Sequence, residues 1–523
     1  MIRRLIGLSL IAGLLSVGGL SMGHPVAGRT GARASISNPL RFLQAQAASY
    51  VLVCDASFDI LFEAGGADQL TRVTGLPDHP TIAETLPMSD VGVLGGVAIS
   101  PDGDTALVLF WAVPDRFITG FAVIRGLSSG TMRREAVMTF DPTPEGEAAL
   151  VANDVAFSAD GQSAVILRRR VDFPFDVNDP GTHAKLNVIT GLPDAPVIGP
   201  DVDIPAAFAE SLALTRDGDR AVVTSLEPKG LTIVSGLAPG GPDPSATFIS
   251  LEGELGAVDY PGGQAPVGGV ALTLDEDGVI VPIQNGILAA PQGQALVFTG
   301  FQSGQLQLAR SMGMTEGVGP WLLGIAVHPS GDMIIMTEQF NDALNILSGT
   351  GTSDPHQWQA SALPIGDPFT QSPHDVVFLP DGDTAVVANT DLRGLGAPQF
   401  LASLTIVTGF NSGTLSASPP MLVDQAIHTS LIPDQMIAAP PPTLADYVAL
   451  FTRRRPDVGR VLQNLLSRAI ASAGEGRFSA AARSLQAFIA RVTEQRAQGH
   501  LTGAQAQVLM ELADLGVKRL GQK

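Results

Sequence analysis

Gly96-Val-Ala-Ile-Ser-Pro-Asp-Gly103 decides the fold, because the chain repeats it: Asp154-Val-Ala-Phe-Ser-Ala-Asp-Gly161, Ser211-Leu-Ala-Leu-Thr-Arg-Asp-Gly218, Gly269-Val-Ala-Leu-Thr-Leu-Asp-Glu-Asp-Gly278, Gly324-Ile-Ala-Val-His-Pro-Ser-Gly331 and Asp375-Val-Val-Phe-Leu-Pro-Asp-Gly382. The closing glycines stand 58, 57, 60, 53 and 51 residues apart, a period of stacked units that cannot bury their faces alone. Each copy alternates apolar and polar residues, turns at Asp-Gly or Ser-Gly, and resumes in an apolar run such as Thr105 to Phe110 or Thr384 to Ala388. That is a hairpin whose turn glycine accepts positive φ. A third strand follows, marked by Val73-Thr-Gly-Leu76 and six counterparts near Val123, Val188, Ile233, Val297, Ile346 and Ile406. A fourth apolar segment, for example Pro196 to Ile204 or Pro419 to Val423, completes a four-stranded unit.

Seven third strands against six turn motifs are reconciled at the ends of the repeat region. The region enters at a second strand, Tyr50 to Cys54, and leaves through His428 to Gln435, a degraded first strand. One late strand joined to three early ones closes a ring and protects its edges. The predicted fold class is therefore an all-β seven-bladed β-propeller over residues 48–438, followed by a Pro-rich linker at 439–442 and a small all-α bundle at 443–523.

The repeats resemble the YVTN and lactonase-like β-propellers, in which a Val-Ala-Phe-Ser-Pro-Asp-Gly strand lines the central channel; the likeness spans roughly residues 50 to 438. The resemblance implies the fold strongly. Its members include lactonases, quinoprotein subunits and binding scaffolds, so function has to come from a site.

Residues 1–47 read as a signal peptide and leader: Met-Ile-Arg-Arg, an apolar run from Leu5 to Leu20, then small residues, with cleavage after Ala34 or Ala47 equally compatible. The apolar run falls short of the roughly 20 residues of a spanning helix, so no integral membrane domain is expected after cleavage. A secreted, periplasmic or cell-surface location follows as the expectation. Cys54 is the only cysteine, which excludes an intrachain disulfide and a Cys-based metal site; within Val51-Leu52-Val53-Cys54 it reads as a buried small hydrophobe.

The net charge of −20 conceals a division: the 31 basic residues fall as five, 14 and 12 over leader, propeller and tail, and the 51 acidic ones as none, 45 and six. A body this acidic repels nucleic acid and anionic lipid. A protein or glycan at the cell surface is the expected partner, bound by a monomer.

In the tail, Thr443-Leu-Ala-Asp446 caps a short helix, and Val461, Leu462, Leu465, Leu466, Ala469 and Ile470 recur at helical spacing. Ala481, Leu485, Phe488, Ile489 and Val492 mark a second face, and Thr502-Gly-Ala-Gln505 is a capping box for a further helix with Ala506, Leu509, Leu512, Ala513 and Val517 inward. The pattern from Ala481 to Ala513 resembles the FIMAH domain found at the C-termini of secreted and surface bacterial proteins, which implies an accessory binding module without catalytic residues. Arg453-Arg-Arg455 reads either as a contact for an acidic surface or as a solvated charge run.

Residues just before each innermost strand sit at the mouth of the channel, where several blades converge. The polar ones are Asn153, Asp154, Glu210, His374, Asp375 and His428. They read in two ways: as carboxylates and imidazoles gathered for a cation or for the acid and base roles of lactone opening, or as Asx-type caps of backbone amides. No arginine stands at these positions, which counts against a phosphorylated sugar acid. Asp172, Asp176, Asn178 and Asp179 lie in an insertion that reads as a calcium loop or a plain exposed loop, with Pro180 at the fifth ligand place of an EF-hand. Calcium is the one cofactor left open. Trp111 and Trp321 read as sugar-stacking platforms or core fillers. The leading expectation is an exported binding or docking protein, and the alternative is a lactonase-like hydrolase at the channel mouth.

Overall fold

The computed structural model describes residues 50–57, 68–112, 118–141, 150–170, 183–206, 208–255, 264–266, 268–284, 292–316, 322–339, 341–352, 354–366, 371–391, 401–423, 431–439 and 443–521. Seven antiparallel sheets form a closed ring. Blade 1 runs outward through strands a to d, Val93–Ile99, Thr105–Ala112, Ile118–Arg125 and Arg133–Thr139. The a strands of blades 2 to 6 are Leu150–Phe157, Phe208–Leu214, Ala271–Leu272, Leu322–Val327 and Pro373–Phe378.

Blade 7 joins the two ends of the region. Leu431–Ala439 supplies its a strand and Tyr50–Ser57, Gln69–Thr74 and Thr81–Pro87 the other three. Val51 lies opposite Ala438 and Cys54 opposite Gln435. The expected N- to C-terminal closure is thus present, one residue past the boundary read from sequence.

The unbroken apolar character of the second strands has a simple cause: both faces are buried. Along Tyr50 to Cys54, Tyr50, Leu52 and Cys54 pack against blade 1 with Leu94, Val108 and Phe110, while Val51 and Val53 pack against blade 6 with Val386 and Leu404. Five further cores fill the other interfaces between neighbouring blades. Each fully buried aliphatic side chain contributes about 1.5–3 kcal/mol, so seven such layers hold the ring without a disulfide. Outer d strands alternate exposure instead, as in Arg133–Thr139.

The recurring turn motif owes its composition to hydrogen bonds. The Ser100 hydroxyl donates to Asp102 at 2.6 Å and accepts from the Thr105 amide at 3.1 Å; Thr215 with Asp217 and Thr273 with Asp275 repeat the pattern. The closing glycine then turns left-handed against the preceding blade. Gly382 has φ +66°, and a Cβ there would stand 2.8 Å from Nε2 of His328. In blade 4 the sequence register errs by two residues: Glu276, not Gly278, occupies the left-handed position, at φ +57°. Its carboxylate accepts the Arg216 amide of blade 3 at 2.7 Å, which ties the strained turn to its neighbour.

The fourth strand expected from Pro419 to Val423 is instead two short pieces, Ser416–Ala417 and Met421–Leu422, both paired with Leu401–Thr408. Ser418 interrupts it by donating its hydroxyl to Pro419 and accepting the Ile406 amide at 3.0 Å.

The tail folds as α1 (Leu444–Phe451), α2 (Pro456–Gly474), α3 (Phe478–Ala497) and α4 (Gly503–Gly521). The Thr443–Asp446 and Thr502–Gln505 capping boxes both form. Val461 is an exception to the apolar stripe, 38% exposed. The bundle seats on the end of the ring that carries the a–b turns: Ala159 and Leu274 pack against its core, Arg216 pairs with Glu511 at 2.8 Å, and Arg519 donates to the Asp160 carbonyl at 2.8 Å. The opposite end, with the d–a and b–c connections, is where the sequence placed the candidate site. Among the described residues no helix is long and apolar enough to cross a membrane.

Candidate functional site

Five of the a strands share one irregularity at one level of the channel wall. Pairing with the b strand shifts register between Leu94 and Val97, Ala152 and Asp154, Ala209 and Leu212, Leu322 and Ile325, and Pro373 and Asp375. These are β-bulges, which re-aim side chains and recur beside functional sites. The skipped residues include Asn153, Glu210 and His374, three of the positions singled out in the sequence. In blade 5 the bulge holds Gly324, where a Cβ would stand 2.6 Å from the Cα of Asp375; only glycine permits that approach of blade 6.

The candidate residues divide into two networks. At the interface of blades 2 and 3, Asn153 donates its side-chain amide to the Glu210 carbonyl, and the Glu210 carboxylate accepts from Arg169 at 2.5 Å. Arg169 also lies over the Phe208 ring, 5.3 Å from its centroid. Burial raises the Glu210 carboxyl above its usual range, opposed by Arg169. Asp154 accepts the Val155 amide at 2.8 Å, and across the interface the Leu212 amide at 2.8 Å and the Ser211 hydroxyl at 3.1 Å. That is the capping role.

The second network lies three blades further round, at the interface of blades 5 and 6. The imidazole of His374 has its Nε2 3.3 Å from the Gln339 side-chain nitrogen and 3.5 Å from the Ser372 hydroxyl. Its carbonyl accepts the Thr337 hydroxyl at 3.1 Å, and Thr337 accepts the Gly324 amide at 2.8 Å. Desolvation lowers the His374 pKa to about 4. Ser372 is fully buried with φ +46°, held by Asp342, which accepts the amides of Gln371 at 2.9 Å and Ser372 at 2.7 Å. Asp375 accepts the Val376 amide at 2.8 Å, again as a cap.

Among the described residues no hydrogen bond or ion pair joins the two networks, and no three His, Cys, Asp or Glu side chains form a metal-binding group. His428, the insertion with Asp172, Asp176, Asn178 and Asp179, and Trp321 lie outside the described residues. Trp111 is partly buried on strand b of blade 1, opposite Val93 and Thr119.

The sequence reading missed the arginines. Their absence holds for the a strands alone: strand b of blade 2, Ser163–Arg170, ends in Arg168, Arg169 and Arg170. Arg169 neutralises Glu210, whereas Nε and Nη1 of Arg170 are buried without a hydrogen-bond partner among the described residues. Three arginines closing an otherwise apolar strand were the available signal.

No protein-family profile and no curated protein matches the chain. Solved structures do match in fold. A Bacteroides uniformis protein described provisionally as a 6-phosphogluconolactonase aligns over 75% of this chain and 100% of its own, at 11% identity and TM-score 0.51. The Pseudomonas aeruginosa periplasmic gluconolactonase covers 75% of this chain and 100% of its own, at 14% identity and TM-score 0.49. A Lactobacillus plantarum protein covers 71% of this chain and 96% of its own, at 13% identity and TM-score 0.49. At these identities the likeness establishes the seven-bladed propeller and nothing finer.

Proposed function

We propose that the channel mouth away from the bundle is a lactonase-like hydrolytic site for a small hydroxylated lactone. The observation that carries this reading is His374: an imidazole held neutral on a bulge at the mouth, beside a buried serine in a strained backbone conformation. A neutral Nε2 accepts a proton from water as that water attacks the lactone carbonyl. The new C–O bond forms, the ring ester C–O bond breaks, and the imidazolium returns its proton to the alkoxide that leaves. Arg170 ends strand b of blade 2 at the same end of the ring, and among the described residues it has no ion-pair partner, so it is the cation we assign to an acid group of the substrate or of the opened product. The Bacteroides uniformis neighbour supports the same reaction class. A base of pKa about 4 is a weak one, so the turnover expected is slow.

A second reading, docking of a protein or glycan, is favoured by the internal bonds of Asp154 and Glu210, which leave few open groups at the blade 2 and 3 side. YVTN-type ancestry of the repeats, a FIMAH-like role for the bundle, export through the leader and a calcium-binding insertion belong to either reading as proposals.

The test is hydrolysis of a panel of γ- and δ-lactones by the full chain and by His374→Gln and Arg170→Ala. Turnover above the spontaneous rate that falls at least about 100-fold in His374→Gln, with an unchanged melting midpoint, supports the hydrolase. No turnover of any lactone turns the choice to docking.

A further inference from the structure

We propose that the outer face of the α2–α3 hairpin docks the protein on an anionic phospholipid surface, with the opposite end of the propeller facing away from it. The hairpin and the turn before it carry a surplus of guanidinium charge. Asp457 pairs with Arg455, Glu475 with Arg477 and Glu494 with Arg491, which accounts for each acid from Arg453 to Ala497. Arg453, Arg454, Arg460, Arg468, Arg483 and Arg496 are left exposed, and among the described residues none of them has a salt-bridge partner.

Their placement is directional. Arg460 and Arg468 stand eight residues apart on α2, two turns along one exposed face with Asn464 between them. The short connection makes α3 antiparallel to α2, so Arg483 lies level with Arg468 and Arg496 with the start of α2. Among the described residues, hydrogen bonds and ion pairs to the propeller come from α4, through Glu511 and Arg519, and none from α2 or α3.

Charge and geometry select the occupant. The arginines are spread along the exposed faces of two helices and the turn before them, which fits a sheet of headgroups better than one small anion. Guanidinium forks bind phosphate oxygens bidentately. The propeller, with 45 acidic and 14 basic residues, is repelled by the same surface. Attraction at one end and repulsion at the other leave a single favoured orientation, and the candidate mouth then faces outward.

The experiment is co-sedimentation of the full chain with phosphatidylcholine vesicles and with vesicles containing one third phosphatidylglycerol. Binding to the anionic vesicles alone, released by salt, is expected. The triple variant Arg460→Glu, Arg468→Glu, Arg483→Glu should lose more than about ten-fold in binding while keeping its melting midpoint, and the corresponding triple Lys variant should retain it. Equal binding to both vesicle types, no binding to either, unchanged binding by the Glu variant, or capture by soluble polygalacturonate without vesicle binding would each overturn the proposal.

Discussion

Burial sets the protonation of two single residues in opposite senses, and each predicts a different arm of the stability profile. His374 has a folded pKa of about 4 against an ordinary 6.5, so its contribution is complete above 6.5 and declines as pH falls from there toward 4. His374→Gln should flatten that acid limb by about 2 kcal/mol, read from melting midpoints between these pH values. Glu276 behaves conversely: desolvation lifts its pKa to about 7, against the pull of Arg216, so its contribution is complete below 4.5 and is lost as pH rises through 7. Glu276→Gln should therefore raise the melting midpoint at pH 8, by an amount equivalent to about 1–3 kcal/mol, and leave it unchanged at pH 4. A lower midpoint at pH 8 would contradict this account. Side chains on the first strands were legible from the repeat, because position before an innermost strand fixes proximity to the mouth. Arg169 and Arg170 were not, since they arrive from the second strand, and the pairing of Glu210 with Arg169 depends on which blade follows which.

At the scale of turns and helices, the Ser-x-Asp-Gly hairpin is a hydrogen-bonded device as much as a flexible one. In the blade 6 counterpart, Leu379-Pro-Asp-Gly382, which lacks the serine, the glycine is fixed twice over, by φ and by the ring of His328, whose Nε2 lies 2.5 Å from the Gly382 carbonyl. Gly382→Ala should cost about 2–3 kcal/mol, measured by denaturant unfolding, whereas Gly413→Ala, with φ +74° and open space around it, should cost about 1 kcal/mol. Blade 4 explains why the register was misread: its turn is as long as the others, the Thr273 amide donating to the Gly278 carbonyl as Ser100 does to Thr105, but Glu276 stands where the other turns have glycine, and no local pattern announces a glutamate in the left-handed position. The bundle elements were legible from their caps and stripes, but their seat on the propeller was not. It rests on Arg216 meeting Glu511 from 295 positions along the chain. A double-mutant cycle of Arg216→Ala and Glu511→Ala should give a coupling of about 1 kcal/mol, and a coupling near zero would mean the bundle is held by its apolar contacts and the Arg519 hydrogen bond without this ion pair.

For the whole molecule, much of the acidity that the composition displays is structural. Asp102, Asp217 and Asp275 brace their own turns, and Asp104, Asp277 and Asp383 accept amides of the neighbouring c–d turns. The net charge therefore says less about a ligand than its size suggests, and more about which surfaces the propeller avoids. Everything above the level of a single blade depends on the ring being closed by strands from its two ends. The native Cys54 offers the most direct test, because its partner across that seam is Gln435 and the chain has no other thiol. With Gln435→Cys introduced, mild oxidation followed by proteolysis and mass spectrometry should recover a peptide cross-linked between residues 54 and 435, at high yield in the folded protein and not after denaturation. Failure to form that cross-link in the folded chain, or its equal formation in the denatured chain, would contradict the closed ring.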